Sequence, residues 1–347
     1  MFENSGRTEL SDLGEFEFIS HITSNFNKFV QAATIKGVGD DAAVLDTGSN
    51  GLHTIISTAM MTEGVHFDLS YMPLKHLGYK TIAVNLSDIC AMNAIPTQVL
   101  VSIGISNRFS LEAVEELYEG IRYACEEYKV DLVGGDTVSS KAGLVISVTA
   151  IGQASPESIT YRNGAKEHDL ICVSGDLGAA FVGLKYLERE KRIFLENPEI
   201  QPDLVGHDYV VERQLKPHAR LDVIKALSHA GIVPTSMIDI SDGLTSELMH
   251  LGSQSHKGMT IYEDKLPIDP VAYQDCIDIG LEATMCALNG GEDYELLFTI
   301  PQSDFDKVRN LENVSIIGHV TEDEGKYLMI SKQQNEYKLK AQGWKHL

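Results

Sequence analysis

The sequence predicts an α/β chain of two domains. Three observations carry this. At 347 residues the chain is longer than one ordinary domain. Apolar runs of strand length recur between stretches whose apolar residues fall at helical spacing. Strand character gives way to Ser, Pro and Glu around Ala154–Pro156, which puts an N-terminal domain at 1–154 and a C-terminal domain at 155–347.

Residues 10–31 read as a helix, with Phe16, Ile19 and Phe26 on its apolar side. Residues 42–46 and 52–58 read as strands. Residues 73–94 read as a long helix, with Pro73 in its first turn and Pro96 just past its end. Ile82, Leu86 and Ile89 form its apolar stripe, and Thr81, Asn85 and Asp88 a polar one beside it. A carboxylate at mid-helix near the buried side is unusual for a residue that only solvates a surface. Residues 97–105 alternate as a strand, and Ser110 caps a helix to about Lys129. Val130–Val133 reads as a short strand ending in a Gly-Gly-Asp-Thr turn, and Leu144–Gly152 as another strand. In the second half, Asp169–Ser174 reads as a strand followed by a Gly-x-x-Gly turn and a helix. The charged stretch Glu188–Arg192 reads as an exposed helix end and loop. Helices follow near 219–230 and from Thr245, with late strands at Leu296–Ile300 and Val314–Gly318.

Composition narrows the function. Fifty acidic and 28 basic residues give a net charge of −22. That excludes nucleic acid as the expected partner, because a phosphate backbone needs clustered Lys and Arg. The five cysteines are scattered without a CxxC pair, which fits a reduced cytoplasmic protein. Glu3, Arg7, Glu9 and Asp12 do not fit a signal peptide. No apolar run reaches the roughly 18–20 residues that span a bilayer, so no membrane partner is expected.

Five short segments set carboxylates at or beside turns: Gly37–Leu45, Asn85–Asp88, Gly134–Thr137, Ile238–Leu244 and Gly290–Leu296. Taken singly, Asp40 or Asp136 reads as a polar turn, and Asp239 or Asp242 as a helix cap. Taken together they suggest hard-cation binding, since Mg²⁺ takes oxygen ligands and shares them with phosphates. Such cations also let an acidic protein hold an anionic substrate. No Walker A motif and no protein-kinase catalytic loop is present, so any use of ATP rests on another scaffold. No HxH or HExxH spacing points to zinc.

The order of motifs Gly-Val-Gly-Asp-Asp-Ala-Ala-Val-Leu, Glu-Gly-Val-His-Phe, Asn-Leu-Ser-Asp-Ile, Gly-Gly-Asp-Thr, Ile-Asp-Ile-Ser-Asp-Gly-Leu, Gly-Glu-Asp-Tyr-Glu-Leu and a terminal Gly-Trp resembles the thiamine-monophosphate kinase family over nearly the whole chain. The resemblance implies a two-domain aminoimidazole ribonucleotide synthetase-like fold, with N-terminal domains pairing into a β-barrel-like dimer core. It implies ATP-dependent phosphorylation of thiamine monophosphate to thiamine diphosphate, with ATP as co-substrate and several Mg²⁺ ions. By motif, Asp40, Ser57, Thr58, Asp88, Asp136, Asp239 and Asp242 hold metal. Tyr118, Gly135, Asp136, Arg162 and Ser241 contact ATP, with Asp136 and Asp242 closest to the chemistry. His66, Glu292 and Trp344 contact thiamine monophosphate. One position departs from the family pattern: Ala59 stands where a ligand Asp is expected, which implies weakened turnover. The alternatives are a sister ATP-dependent enzyme of the same superfamily or a catalytically weak nucleotide-binding protein. No cysteine precedes Cys90, where selenophosphate synthetase normally carries its reactive residue.

Overall fold

The computed structural model describes residues 15–26, 28–141 and 143–342. Trp344 and residues 10–14 of the first expected helix lie outside the described residues. The helix itself runs over α1 (Glu15–Thr23) and a 3-10 turn, Ser24–Phe26, and stops short of the expected end at 31: residues 28–31 are not helical, and Phe26 is exposed and not packed on an apolar side.

The first half is a six-stranded sheet in the order β1-β2-β3-β6-β4-β5. Its strands are β1 (Thr34–Lys36), β2 (Ala43–Ser49), β3 (Leu52–Thr62), β4 (Ile95–Ile105), β5 (Asp131–Ser139) and β6 (Val145–Ala154). All neighbours are antiparallel except β4 and β5. Among the described residues the sheet is open, with β1 and β5 at its edges, and closes no barrel. Helix α2 (Leu74–Ala91) packs on β3, β4 and β6, and α3 (Leu111–Tyr128) packs over α2. Every second residue of β6 is buried, so one face of the sheet meets α2 and the other is more open. Ser110 caps α3 by accepting the Ala113 N–H.

Two local expectations are corrected here. Gly134–Thr137 is not a turn, because β5 runs straight through it to Ser139. Gly135 serves a close approach instead: a Cβ there would stand 1.8 Å from the Val101 carbonyl oxygen of β4. The pairing of β4 and β5 shifts register just before Gly134. Glu188–Arg192 is not a helix end either, because α4 (Ala179–Glu196) continues past it. Lys185 pairs with Glu188 one turn on, and Leu187 and Glu190 are buried, so this charged stretch still has an inner face.

The second half is a seven-stranded sheet in the order β13-β12-β9-β11-β7-β10-β8. Its strands are β7 (Leu170–Ser174), β8 (Ser236–Asp239), β9 (Gly258–Tyr262), β10 (Leu296–Ile300), β11 (Val314–Thr321), β12 (Tyr327–Ile330) and β13 (Glu336–Lys338). Around it lie α5 (Asp208–Leu215), α6 (Leu221–His229), α7 (Leu244–Ser255), α8 (Pro270–Asp278) and α9 (Ala283–Asn289). The largest apolar cluster does not stop between the halves. It joins Ile82, Leu86 and Ile89 of α2 to Cys172, Leu227, Met237 and Phe298 of the second sheet and its helices. Helix α2 is therefore the wall shared by both halves, and its polar residues face the seam.

Candidate functional site

Three carboxylates from three elements converge at that seam. Asp41 follows β1, Asp88 sits mid-helix in α2, and Asp239 ends β8. One oxygen from each lies within 4.8 Å of the others. Ser57 of β3 donates to Asp88 Oδ2 at 2.6 Å, and Ser87 of α2 donates to Asp239 Oδ2 at 2.6 Å. Burial pushes Asp41 up to about 7, although the Arg162 guanidinium beside it pulls the other way. Burial and the neighbouring Asp239 raise Asp88 well above the ordinary carboxylate range, and burial raises Asp239 as well. Asp41 Oδ2 is buried with no hydrogen-bond partner among the described residues. Buried carboxylate oxygens normally find donors. A converging oxygen set with too few protein cations fits a hard divalent cation.

Asp41, and not the expected Asp40, completes this triad. Asp40 is turned to the chain instead: Oδ1 accepts the backbone N–H groups of Arg162 and Asp41, and Oδ2 pairs with Lys36 at 3.3 Å. Arg162 Nη2 donates to Asp41 Oδ1 at 2.7 Å. Ser57 and Thr58 point to opposite faces of β3, as strand pleating demands. The Thr58 hydroxyl donates to the Val148 carbonyl oxygen, so its side chain is directed away from Asp88. Ala59 shares the Ser57 side of the strand, and its N–H donates to Asn85 Oδ1 of α2.

The turn after β8 carries Ser241 and Asp242. Both backbone N–H groups donate to Glu247 Oε1, at 3.1 and 2.8 Å. Glu247 is buried, and burial pushes its carboxyl up to about 8. The loop Gly290–Glu295 packs along this turn, with the Glu292 N–H on the Ser241 carbonyl and the Tyr294 N–H on that of Ile240. Glu292 and Tyr294 hold φ of 62° and 52°, a conformation uncommon for residues with a side chain. Lys80 of α2, wholly buried, reaches across the seam to Glu292 Oε2 at 2.5 Å and to the Gln214 carbonyl oxygen at 2.9 Å. Burial would raise Glu292, but Lys80 outweighs it, and Tyr294 and His66 add to the pull, so the carboxyl lies below its ordinary value. His66 accepts the Thr62 N–H at Nδ1.

A separate cavity of about 650 Å³ opens against β5 and α3. Tyr118, Gly135 and Asp136 line it together. Asp136 is exposed and stands on an edge strand three strands from β3, roughly 14 Å away at ordinary strand spacing. One chain therefore assembles two groups: Asp41, Asp88, Asp239, Arg162, Ser241, Asp242 and Glu292 at the seam, and Tyr118, Gly135 and Asp136 at the far edge.

Sequence reasoning missed Asp41, Lys80, Ser87 and Glu247 as site residues. Lys80 and Ser87 are seven residues apart on α2, hence on one face, and that spacing was visible. Nothing in the sequence separated Asp41 from Asp40 or aimed Glu247 back at its own helix start.

Residues 39–154 match the family described as AIR synthase related protein, N-terminal domain. The chain is 32% identical to thiamine-monophosphate kinase of Bacillus subtilis, covering 96% of this chain and 99% of that protein. It is 34% identical to thiamine-monophosphate kinase of Aquifex aeolicus, covering 97% and 99%. Its fold is similar to a solved structure of AaThiL complexed with AMPPCP and TMP, with a TM-score of 0.83 and 32% identity over 99% of this chain and 100% of that one.

Proposed function

The chain belongs to the thiamine-monophosphate kinase family, and from that premise we propose that it moves the γ-phosphoryl group of ATP onto a phosphate oxygen of thiamine monophosphate. The products are thiamine diphosphate and ADP. The observation that carries this reading is the convergence of Asp41, Asp88 and Asp239 beside Arg162.

In this reading Asp41, Asp88 and Asp239, with Ser57 and Asp242 beside them and Asp136 from the β5 cavity, are the residues that would hold Mg²⁺; Asp40, held by backbone N–H groups and Lys36, and Thr58, whose hydroxyl faces the other side of β3, add no side-chain ligand in this arrangement. Bound Mg²⁺ supplies positive charge that offsets repulsion between the two anionic reactants. Arg162 and Ser241 bind ATP from the seam, and Tyr118, Gly135 and Asp136 bind it from the β5 cavity. His66 and Glu292 orient the thiamine moiety, and Trp344 offers it an aromatic face. The accepting phosphate is already an anion at neutral pH, so no strong general base is needed. The seam accordingly needs no Ser/His/Asp triad, and no phosphoenzyme forms.

The two separated groups meet in a homodimer. Each residue of β5 is exposed, and Leu132, Val133 and Val138 put apolar side chains on this bare edge. Pairing there brings the partner subunit's Asp136 to the seam of the first subunit. Residues 1–154 and 155–347 are the two domains of each subunit. Among the described residues, no helix is long and apolar enough to cross a membrane, and the cytoplasm is the proposed site of action.

Ala59 lies beside Ser57 on the strand face that meets Asp88, so a carboxylate there would join the cluster. The direct test is thiamine diphosphate formation from thiamine monophosphate, ATP and Mg²⁺ by this chain and by Ala59→Asp. We expect product from both, with the variant faster by about tenfold or more (~1.4 kcal/mol of barrier). No product from either folded protein would reject the reading.

A further inference from the structure

Lys80 stands out among the charged groups at the seam. An ammonium in mid-helix with no exposure costs several kcal/mol in lost hydration unless partners replace the water. Its partners are the Glu292 carboxylate and one carbonyl oxygen. Glu292 in turn is held at both oxygens: Lys80 on Oε2, and the Tyr294 hydroxyl on Oε1 at 2.9 Å. A carboxylate offers about four lone-pair sites, so roughly two stay open. The Glu292 side chain keeps 30% of its surface exposed, so those sites remain reachable.

The charge balance is informative. A lone carboxylate would attract a cationic ring by its charge. Paired with a buried ammonium, Glu292 has little net charge left at a distance. What remains is geometry: two directed acceptor sites on a rigid group, fixed by the left-handed backbone at Glu292 and Tyr294. Hydrogen bonding to a preorganised, partly buried acceptor discriminates against a partner without a donor.

We propose that Lys80 is the positioning residue of the thiamine site: it cancels the charge of Glu292 and fixes it as a hydrogen-bond acceptor, so the site selects an N–H donor on the substrate and not its positive charge. This rests on the thiamine-monophosphate kinase reading. The donor is the amino group of the pyrimidine ring.

The test uses the full chain, with thiamine monophosphate and its analogue carrying oxygen in place of the pyrimidine amino group. Calorimetry gives the dissociation constant of each for wild type, Lys80→Met, Glu292→Gln and the double variant, and turnover gives kcat and the KM for ATP. Wild type is expected to prefer the amino compound by about tenfold or more. Lys80→Met is expected to weaken thiamine monophosphate by about tenfold and shrink that preference, with kcat and the KM for ATP changed less than about threefold. The double variant is expected to be no weaker than the worse single one. A preference that survives in Lys80→Met, or single effects that multiply in the double variant, would overturn the proposal. If Lys80→Met does not fold, the double variant decides, because it leaves no buried charge unpaired: retained preference overturns the proposal, and lost preference supports it. Absence of product from wild type is a different result and counts against the kinase reading itself.

Discussion

Asp293 follows Glu292 in the chain and behaves in the opposite way. Burial pushes it up to about 7 against the pull of Arg213, whereas Lys80 holds Glu292 down. Gly178 N–H donates to its Oδ2, and its Oδ1 has no hydrogen-bond partner among the described residues. Between about pH 4 and pH 7 the folded chain therefore keeps a proton there that the unfolded chain has lost. Stability is expected to fall as pH rises through that window and to level off above it. Asp293→Asn removes this contribution. Urea unfolding at pH 5 and pH 8 should show a shallower decline for the variant than for wild type. Equal declines would show that Asp293 does not titrate in this way. Residue identity alone could not have sorted these neighbours. Their order in Gly-Glu-Asp-Tyr-Glu is plain in the sequence, but which carboxylate faces Lys80 and which faces Gly178 is set by the two left-handed residues of the loop.

Helix α2 shows what was legible at the scale of an element. Its span, its apolar stripe and the inward placement of Asp88 follow from period and proline positions. Its partner was not legible, because two glycines decide it. A Cβ on Gly120 of α3 would stand 1.9 Å from the Lys75 carbonyl oxygen, and one on Gly78 of α2 would stand 2.0 Å from that of Leu117. The two helices touch backbone to backbone at this crossing. Gly120→Ala is therefore expected to force α3 off α2 and destabilise the fold by about 1–3 kcal/mol. Thermal unfolding measures this, and a midpoint equal to wild type would mean that the crossing adapts freely. Because α2 also carries Lys80, Ser87 and Asp88, thiamine diphosphate formation should drop in the same variant below its melting temperature. The strand β5 illustrates the reverse error. Gly-Gly-Asp-Thr has the composition of a turn, yet its second glycine, Gly135, lets two parallel strands approach.

At the scale of the molecule, the N-terminal sheet is an unfinished object. It has a bare edge at β5, and the cavity with Tyr118, Gly135 and Asp136 lies on that edge while the buried carboxylates lie at the seam. The proposed dimer through β5 would complete both. Sedimentation of the purified chain should give a dimer, and Val133→Lys with Val138→Lys should give a folded monomer with little activity. A wild-type monomer at full activity would contradict that arrangement. The motif order made the family readable, and it named Asp88 and Asp239 of the three carboxylates that converge, because short acidic segments survive as sequence signals. The division of labour between seam and edge was not readable, since it depends on strand order, which brings β6 between β3 and β4.

The buried carboxylates make the sharpest test, because function and stability pull apart there. Asp88 and Asp239 repel each other in a place with little water, so removing one charge relieves the fold. Asp88→Asn, compared with wild type without Mg²⁺, should unfold at the same or a higher temperature. Assayed with saturating ATP, thiamine monophosphate and Mg²⁺, the same variant should form thiamine diphosphate at least about a hundredfold more slowly, a loss of ~2.7 kcal/mol in transition-state stabilisation. A variant that keeps the wild-type rate would show that the seam carboxylates do not support phosphoryl transfer.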